Sequence, residues 1–453
     1  MEPYPQTDVE SPPAAWRPAA GGLVLGLQGL IKAITPKLQR IAEFLFAQGI
    51  ATAATALYGL LCVRALPVPA YAKFAVIFGY LGSINVLTDI GVSGTLASLV
   101  GERLADHQLI ANYVASIREL RQKLIAIAFP LTAIAYPLLV RHQNWGFPTV
   151  AAMVAILIMT SWFSGVGSSY GAVLILRRSR RDYYRVQMTS SLLRVALLGV
   201  FWVFHWLNAF TAILISVGGV IYVAIRYYQC AGRLLGTRGE PSREMQKAVI
   251  RLALPNSPNI IFYAIQGQVS LMIIAIFGRT TSLASVGALA RIGQLFVLIS
   301  LMNAVLVEPY FAKLPSHRLK STYLKTLAVV GAAALAVVAF ATSFPEAFLW
   351  LLGHKYSHLR TELVLTVAGS AISYFSGVIW IINFARRFVF WWASWLNIVV
   401  IVLVQVFFIW RADLSSVQTV LILNCVSGLA SLCVNALSGI YGFARGPRQV
   451  ECF

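Results

Sequence analysis

The chain has 453 residues, 58% of them hydrophobic and only 11% charged, with a mean hydropathy of +0.75. So little charge cannot clothe the roughly two to four soluble domains that this length would otherwise make, which leaves the bilayer as the principal solvent and excludes soluble enzymes and nucleic-acid readers. The net charge of +20 then becomes a question of where the basic residues lie.

The chain opens with a polar, proline-rich stretch, MEPYPQTDVESPPAAWRP, which lacks the basic and apolar regions of a cleaved signal peptide. GGLVLGLQGLIKAITPKLQR follows, too interrupted for a span and suited to the inner membrane surface. Apolar runs of about 20 residues, enough to cross a hydrocarbon layer of about 30 Å, then recur to the end. They predict helices at 42–63, 74–100, 124–140, 149–176, 190–206, 209–226, 250–277, 284–308, 325–343, 362–384, 389–410 and 417–441. The expected fold is an all-α polytopic membrane protein of twelve transmembrane helices. A cytoplasmic linker, 227–249, divides them into two pseudo-symmetric six-helix bundles, 41–226 and 250–441, with cytoplasmic tails at 1–40 and 442–453. Such a duplicated bundle suits a transporter whose path runs between its halves.

The basic residues test this topology. With the N-terminus inside, Arg64, Lys73, Arg141, Arg279, Lys355, Arg360 and Arg411 fall outside, Arg291 falls within a helix, and the remaining Lys and Arg residues fall in the cytoplasm. That bias, roughly four to one, supports both termini inside. The blocks RRSRR and YQCAGRLLGTRGEPSREMQK then need only anionic lipid, and no nucleic-acid partner. The five cysteines and six histidines form no metal or disulfide framework, and no hydrolase or nucleotide motif is present, so no cofactor or metal is expected. The aromatic clusters FWVFHW, YVAIRYY and FVFWWASW suit headgroup belts and, as the alternative, a sugar-stacking passage.

Polar groups inside apolar spans are the candidate site. Arg291 lies in VGALARIGQLFVLISLMNAVL with Gln294 a turn away, to bind or gate, to pair with an acidic helix residue, or to snorkel outward from the span's first turns. Asn85 and Asp89 share a face four residues apart, either for a coupling cation or for a structural network. Asn256, Asn259, Gln266 and Gln268 lie along one helix, with Pro255 and Pro258 placed to bend it at its cytoplasmic start. Glu43 is either an intramembrane acid or an interfacial residue.

The segment QGIATAATALYGLLCVRALPVPAYAKFAVIFGYLGSINVLTDIG, with its Asp-Ile-Gly ending, resembles the first hairpin of the Wzx-like polysaccharide and oligosaccharide flippases. The segment FGRTTSLASVGALARIGQLFVLISLMNAVLVEPYFAKL resembles their seventh-to-eighth span region. This polysaccharide transporter family shares a superfamily with multidrug and toxic-compound extrusion proteins. The resemblance carries over Asp89, Gly91, Arg291 and Pro309 as contact or gating positions. Ala70 stands where the family has glycine, and Gln266 and Gln268 where many relatives carry an acid. The resemblance implies movement of an undecaprenyl-diphosphate-linked oligosaccharide to the outer leaflet of a bacterial cytoplasmic membrane, for O-antigen or exopolysaccharide biosynthesis. Its implied partners are membrane lipids, a polysaccharide polymerase or chain-length regulator, and a coupling cation. The alternatives are a small-molecule exporter of the same architecture, a membrane glycosyltransferase or polymerase, and a scaffold.

Overall fold

Helix after helix, joined by short turns, makes up the structure. The computed structural model describes residues 48–445 apart from 102, 178 and 389, and without the side chains of 180, 256, 298, 301, 302, 304–306 and 316. The expected tail and surface segment at 1–40, Glu43, and residues 446–453 lie outside the described residues.

A first helix, α1 (48–65), turns at Pro67 into α2 (Val68–Asp89), whose Pro69 sits in the first helical turn, where a missing N–H costs nothing. Ile90 and Gly91 end α2 with φ of 44° and 76°; two consecutive left-handed residues cannot continue a helix, and glycine takes the second without strain. The short α3 (Thr95–Val100) follows, then α4 (His107–Leu139), capped where the Asp106 carboxylate accepts from Leu109 N at 2.9 Å. After α5 (Phe147–Leu176) and α6 (Arg180–Val203), Asn208 and Thr211 form a reciprocal capping box that starts α7 (Ala209–Leu235). The rest of the chain forms α8 (Arg243–Ala253), α9 (Ser257–Gln266), α10 (Val269–Phe277), α11 (Thr280–Lys313), α12 (Ser316–Ser343), α13 (Pro345–Leu352), α14 (Arg360–Ala385), α15 (Trp391–Arg411) and α16 (Val417–Arg445). Among the described residues nine helices are long and apolar enough to cross a membrane, and α9 with α10 makes a tenth if the bent pair is one span.

Several boundaries differ from the sequence expectation. The second span ends at Asp89 rather than near 100, because Ile90 and Gly91 break it. α4 begins well before 124, its first turns being polar helix below the apolar run. Much of 227–249 is helical, and its second part docks on α4, where Ser242 N donates to Ser116 Oγ at 3.0 Å and Gln246 donates to Glu119 at 2.9 Å. The run 250–277 is divided. Pro255 sits in a 3-10 turn, Leu254–Asn256, and Pro258 in the first turn of α9. The 50° bend lies instead at Gly267 and Gln268, between α9 and α10.

Alternating helices give the bundle two ends. The upper end carries the connections at 66–67, 140–146, 204–208, 278–279, 344–359 (with α13) and 412–416, and the lower end the described parts of those at 90–106 (with α3), 177–179, 236–256 (with α8), 314–315 and 386–390. Small residues bring helices together, as expected where lipid removes most hydrophobic drive between them. A Cβ at Gly167 of α5 would lie 3.6 Å from Ala224 of α7, and one at Gly369 of α14 would lie 3.2 Å from Cys425 of α16. Pairings recur along the chain: α2 with α5 and α11 with α14, α4 with α5 and α12 with α14, α6 with α7 and α15 with α16.

The cores are distributed unevenly. One cluster at the upper end joins α1, α2, α5 and α7 to α10, α11, α14 and α16, through residues such as Tyr71, Phe74, Leu283, Leu289 and Leu363. At the lower end the cores are separate, one around Ile110, Val173, Tyr227 and Val249, the other around Phe311, Tyr323, Ile382 and Phe388.

Candidate functional site

The seam between the halves is built on α2 and α11. A Cβ at Gly287 would come within 2.5 Å of Ala75 Cβ, so the helices meet at a distance only glycine permits. Beside this crossing the buried Tyr71 hydroxyl donates to Gly287 O at 3.0 Å and also accepts from Arg291 Nε at 3.3 Å. Arg291 Nη1 reaches Gln294 Oε1 at 3.3 Å, and its guanidinium lies 5.6 Å from the Phe74 ring and 5.8 Å from the Phe78 ring, within cation–π range. Its stem packs on Gly59 of α1, where a Cβ would stand 3.0 Å from Arg291 Cδ. Arg291 thus touches both helices of the first hairpin, and the expectation of an acidic helix partner finds none among the described residues.

Other links close the upper end. Arg64 donates to Trp350 O and stacks 4.6 Å over the Trp350 ring, while Lys355 Nζ donates to Arg64 O and Leu66 O, both at 2.9 Å. Gln143 donates to Ala275 O and Gly278 O at 3.1 and 3.0 Å and accepts from Thr280 Oγ1 at 2.9 Å. One further link lies deeper, where Ser83 Oγ donates to Ala264 O at 2.8 Å. The bend explains it. Gln268 N turns to Ile265 O at 3.0 Å, leaving the Ala264 carbonyl without its usual helical donor, and Ser83 supplies one. The Gln268 side chain rests on α2, its Oε1 3.0 Å from where a Cβ at Gly79 would be.

The predicted residues therefore do not form one site. Arg291 and Gln294 lie together at the seam. Gln266 is bonded to Gln405 of α15, and Gln268 faces α2 at the bend. Asn259 is half-buried on α9, and the Asn256 side chain lies outside the described set. Pro309 is inside α11, whose helix continues past it to Lys313. Asp89 closes the 22-residue α2, roughly 32 Å below its upper end, at the membrane boundary rather than the centre. Its Oδ1 accepts from Ser93 N at 3.0 Å and pairs with Arg121 Nη1 at 3.2 Å. Arg121, its side chain only 3% exposed, also donates to Ser93 Oγ at 2.9 Å and to Ser168. Gly91 lies against Ile260 of α9, whose Cδ1 would be 2.8 Å from a Cβ there. Asn85 Oδ1 is buried without a hydrogen-bond partner.

Sequence reasoning missed Arg194. It lies roughly 14 Å below the upper end of α6, inside the span, and among the described residues its side chain bonds only Ser190, through Nε to O at 3.4 Å and Nη2 to Oγ at 3.1 Å. It packs on Gly219 of α7, and both Arg194 and Arg291 lie within electrostatic reach of Tyr58. The signal was present: RRDYYRVQMTSSLLRVALLGV can be helical from its start, which puts residue 194 in mid-span rather than at an edge.

No protein-family model and no curated protein matches the chain. Solved structures do. The inward-facing conformation of a multidrug resistance MATE family transporter of the MOP superfamily matches with a TM-score of 0.63 and 16% identity, covering 87% of this chain and 96% of that one. The fold is that of the MOP-superfamily transporters. A MOP-superfamily transporter from Pyrococcus furiosus Vc1, described as having a binding pocket of reverse polarity that suggests a different function, matches at 0.56 with 16% identity over 89% and 95% of the two chains. An outward-facing multidrug resistance MATE family transporter of that superfamily matches at 0.53 with 18% identity over 89% and 95%.

These likenesses correct the family expectation. The structures matched are multidrug transporters and their superfamily relatives, whereas the flippase resemblance rested on a loosely patterned hairpin and on helix breakers common to many spans. The assignment to Wzx-like flippases falls. With it fall the lipid-linked oligosaccharide cargo, the O-antigen and exopolysaccharide pathway, and the polymerase or chain-length partner. The solved structures reported above are described as transporters, and none as a glycosyltransferase or polymerase.

Proposed function

We propose that the protein moves a small amphipathic molecule across a bacterial cytoplasmic membrane by alternating access, with the lower end facing the cytoplasm. The observation that carries this reading is the uneven core: the halves share one apolar cluster at the upper end and keep separate clusters at the lower end, where α2 meets α9 at Gly91 and Ile260 without joining them. That is how a transporter closed to the outside and parted toward the inside would pack. The higher likeness to the inward-facing transporter, 0.63 against 0.53 for the outward-facing one, supports the same state.

The twelve-span, two-repeat arrangement with both termini inside belongs to this proposal. The recurring helix pairings support it, because the pairs α2–α5, α4–α5 and α6–α7 have the counterparts α11–α14, α12–α14 and α15–α16 six spans later. The positive charge of the lower turns supports the orientation. A coupling cation remains part of the proposal; at Asp89 it would have to displace Arg121.

Reconstitution of the full chain in liposomes, with dansylamide, dansylglycine and dansylcadaverine as small amphipathic probes, tests the reading. The expected result is saturable movement of at least one probe faster than through protein-free liposomes. Equal rates for all three with correctly folded protein would overturn it.

A further inference from the structure

We infer that Arg291 is the headgroup site of the cargo, and that the cargo is a small amphiphile with one anionic group: a carboxylate, a sulfonate or a phosphate monoester. This rests on the transport reading above and adds the charge of what is moved.

The argument begins with uncompensated charge. A guanidinium inside a span is costly unless it meets a partner or a wet cavity. Arg291 lies roughly 16 Å along α11 from its upper end and has no carboxylate partner among the described residues. Its Nε and Nη1 have neutral acceptors at the long distance of 3.3 Å, Tyr71 and Gln294. Its Nη2 has no hydrogen-bond partner among the described residues, and the side chain is only half-buried. The planar fork therefore keeps an edge free for an oxyanion, the ligand its geometry fits best.

The surroundings reinforce this sign. Arg194, the second cation at similar depth, also lacks a carboxylate partner among the described residues, while Asp89 is committed to Arg121 at the lower boundary. The described interior is thus positive, which repels a cationic amphiphile and attracts an anionic one. Phe74 and Phe78 beside the guanidinium offer apolar surface to the body of such a molecule. One fork held by weak neutral contacts, rather than a closed cage of donors, also lets the anion leave.

The test uses full-length protein in liposomes and three probes that share one fluorophore: dansylglycine (anionic), dansylamide (neutral) and dansylcadaverine (cationic). Wild-type protein should bind dansylglycine at least about tenfold more tightly than the other two. Arg291→Gln should remove about that tenfold for dansylglycine alone, and Arg291→Lys, which keeps charge but loses the fork, should fall between. Thermal unfolding of each variant checks that it is folded. Preference for dansylcadaverine, or an equal loss for all three probes in folded Arg291→Gln, would overturn the site; if Arg291→Gln does not fold, a wild-type affinity for dansylglycine in Arg291→Lys would do so as well. Selective binding of dansylglycine without movement of any probe would sustain the site and sink the transport reading. Movement of dansylcadaverine alone would do the reverse.

Discussion

Tyr71 donates its buried hydroxyl to the Gly287 carbonyl 3.0 Å away, joining α2 to α11 beside the close crossing of Gly287 and Ala75. Tyr71→Phe removes this donor and also the acceptor for Arg291 Nε. The Gly287 carbonyl keeps its bond within the helix, so the loss is that of one net hydrogen bond, about 0.5–1.5 kcal/mol, and it falls on the seam that closes the upper end. The native thiol of Cys62, fully buried in the shared upper cluster, reports it. A membrane-impermeant maleimide applied to the upper side should label Cys62 faster in Tyr71→Phe than in wild type, as read by peptide mass spectrometry.

Gly287 tests the same seam by volume. Gly287→Ala puts a methyl within 2.5 Å of Ala75 Cβ, an overlap that backbone movement must relieve. Overpacking of this kind costs about 1–3 kcal/mol. Thermal unfolding should show a lowered midpoint, and Ala75→Gly in the same chain should restore much of it, since the two methyl groups compete for one space.

Asp89 and Arg121 should behave as a structural pair. Arg121 is buried and Asp89 is 28% exposed, so losing the carboxylate strands a buried guanidinium, whereas losing Arg121 leaves a carboxylate that water reaches, and Asp89→Asn is expected to cost the more of the two. Asp89→Asn and Arg121→Gln should each lower the unfolding midpoint, and the double variant should lose less than the two single losses added together. Dansylglycine affinity should change little, since the pair sits at the lower boundary, far along α2 from the Arg291 contacts.

Ser83→Ala removes the donor that satisfies Ala264 O at the bend. The bend should become less well fixed, with faster amide hydrogen exchange across 260–270 by mass spectrometry and unchanged exchange in α14.

The apolar runs and Arg291 were legible in the sequence because each is a one-dimensional signal: a stretch long enough to cross the layer, or a charge inside one. The surroundings of Arg291 were not, since Tyr71 and Phe74 come from more than two hundred residues away and nothing local marks them as partners. Arg194 was passed over because the apolar window opened only four residues before it, although its helix starts at Arg180. Asp89 was placed too deep because the four-residue spacing to Asn85 is a helical signal, while the left-handed turn at Ile90 and Gly91 that ends the helix carries no hydrophobic signature. The proline-rich entry to the seventh run drew the expected bend to Pro255 and Pro258; prolines in a 3-10 turn and in a first helical turn need no kink, and the bend falls where Gly267 and Gln268 leave the helix.

Alternating access is tested most directly by pulsed electron-electron resonance in liposomes, with spin labels across the halves at the upper end (Asn144→Cys and His354→Cys) and, separately, at the lower end (Arg181→Cys and Lys320→Cys). Label pairs are introduced after replacement of the native cysteines. Addition of a transported dansyl probe should lengthen the upper distance and shorten the lower one. Two distances that stay fixed, or that change in the same direction, would contradict the account.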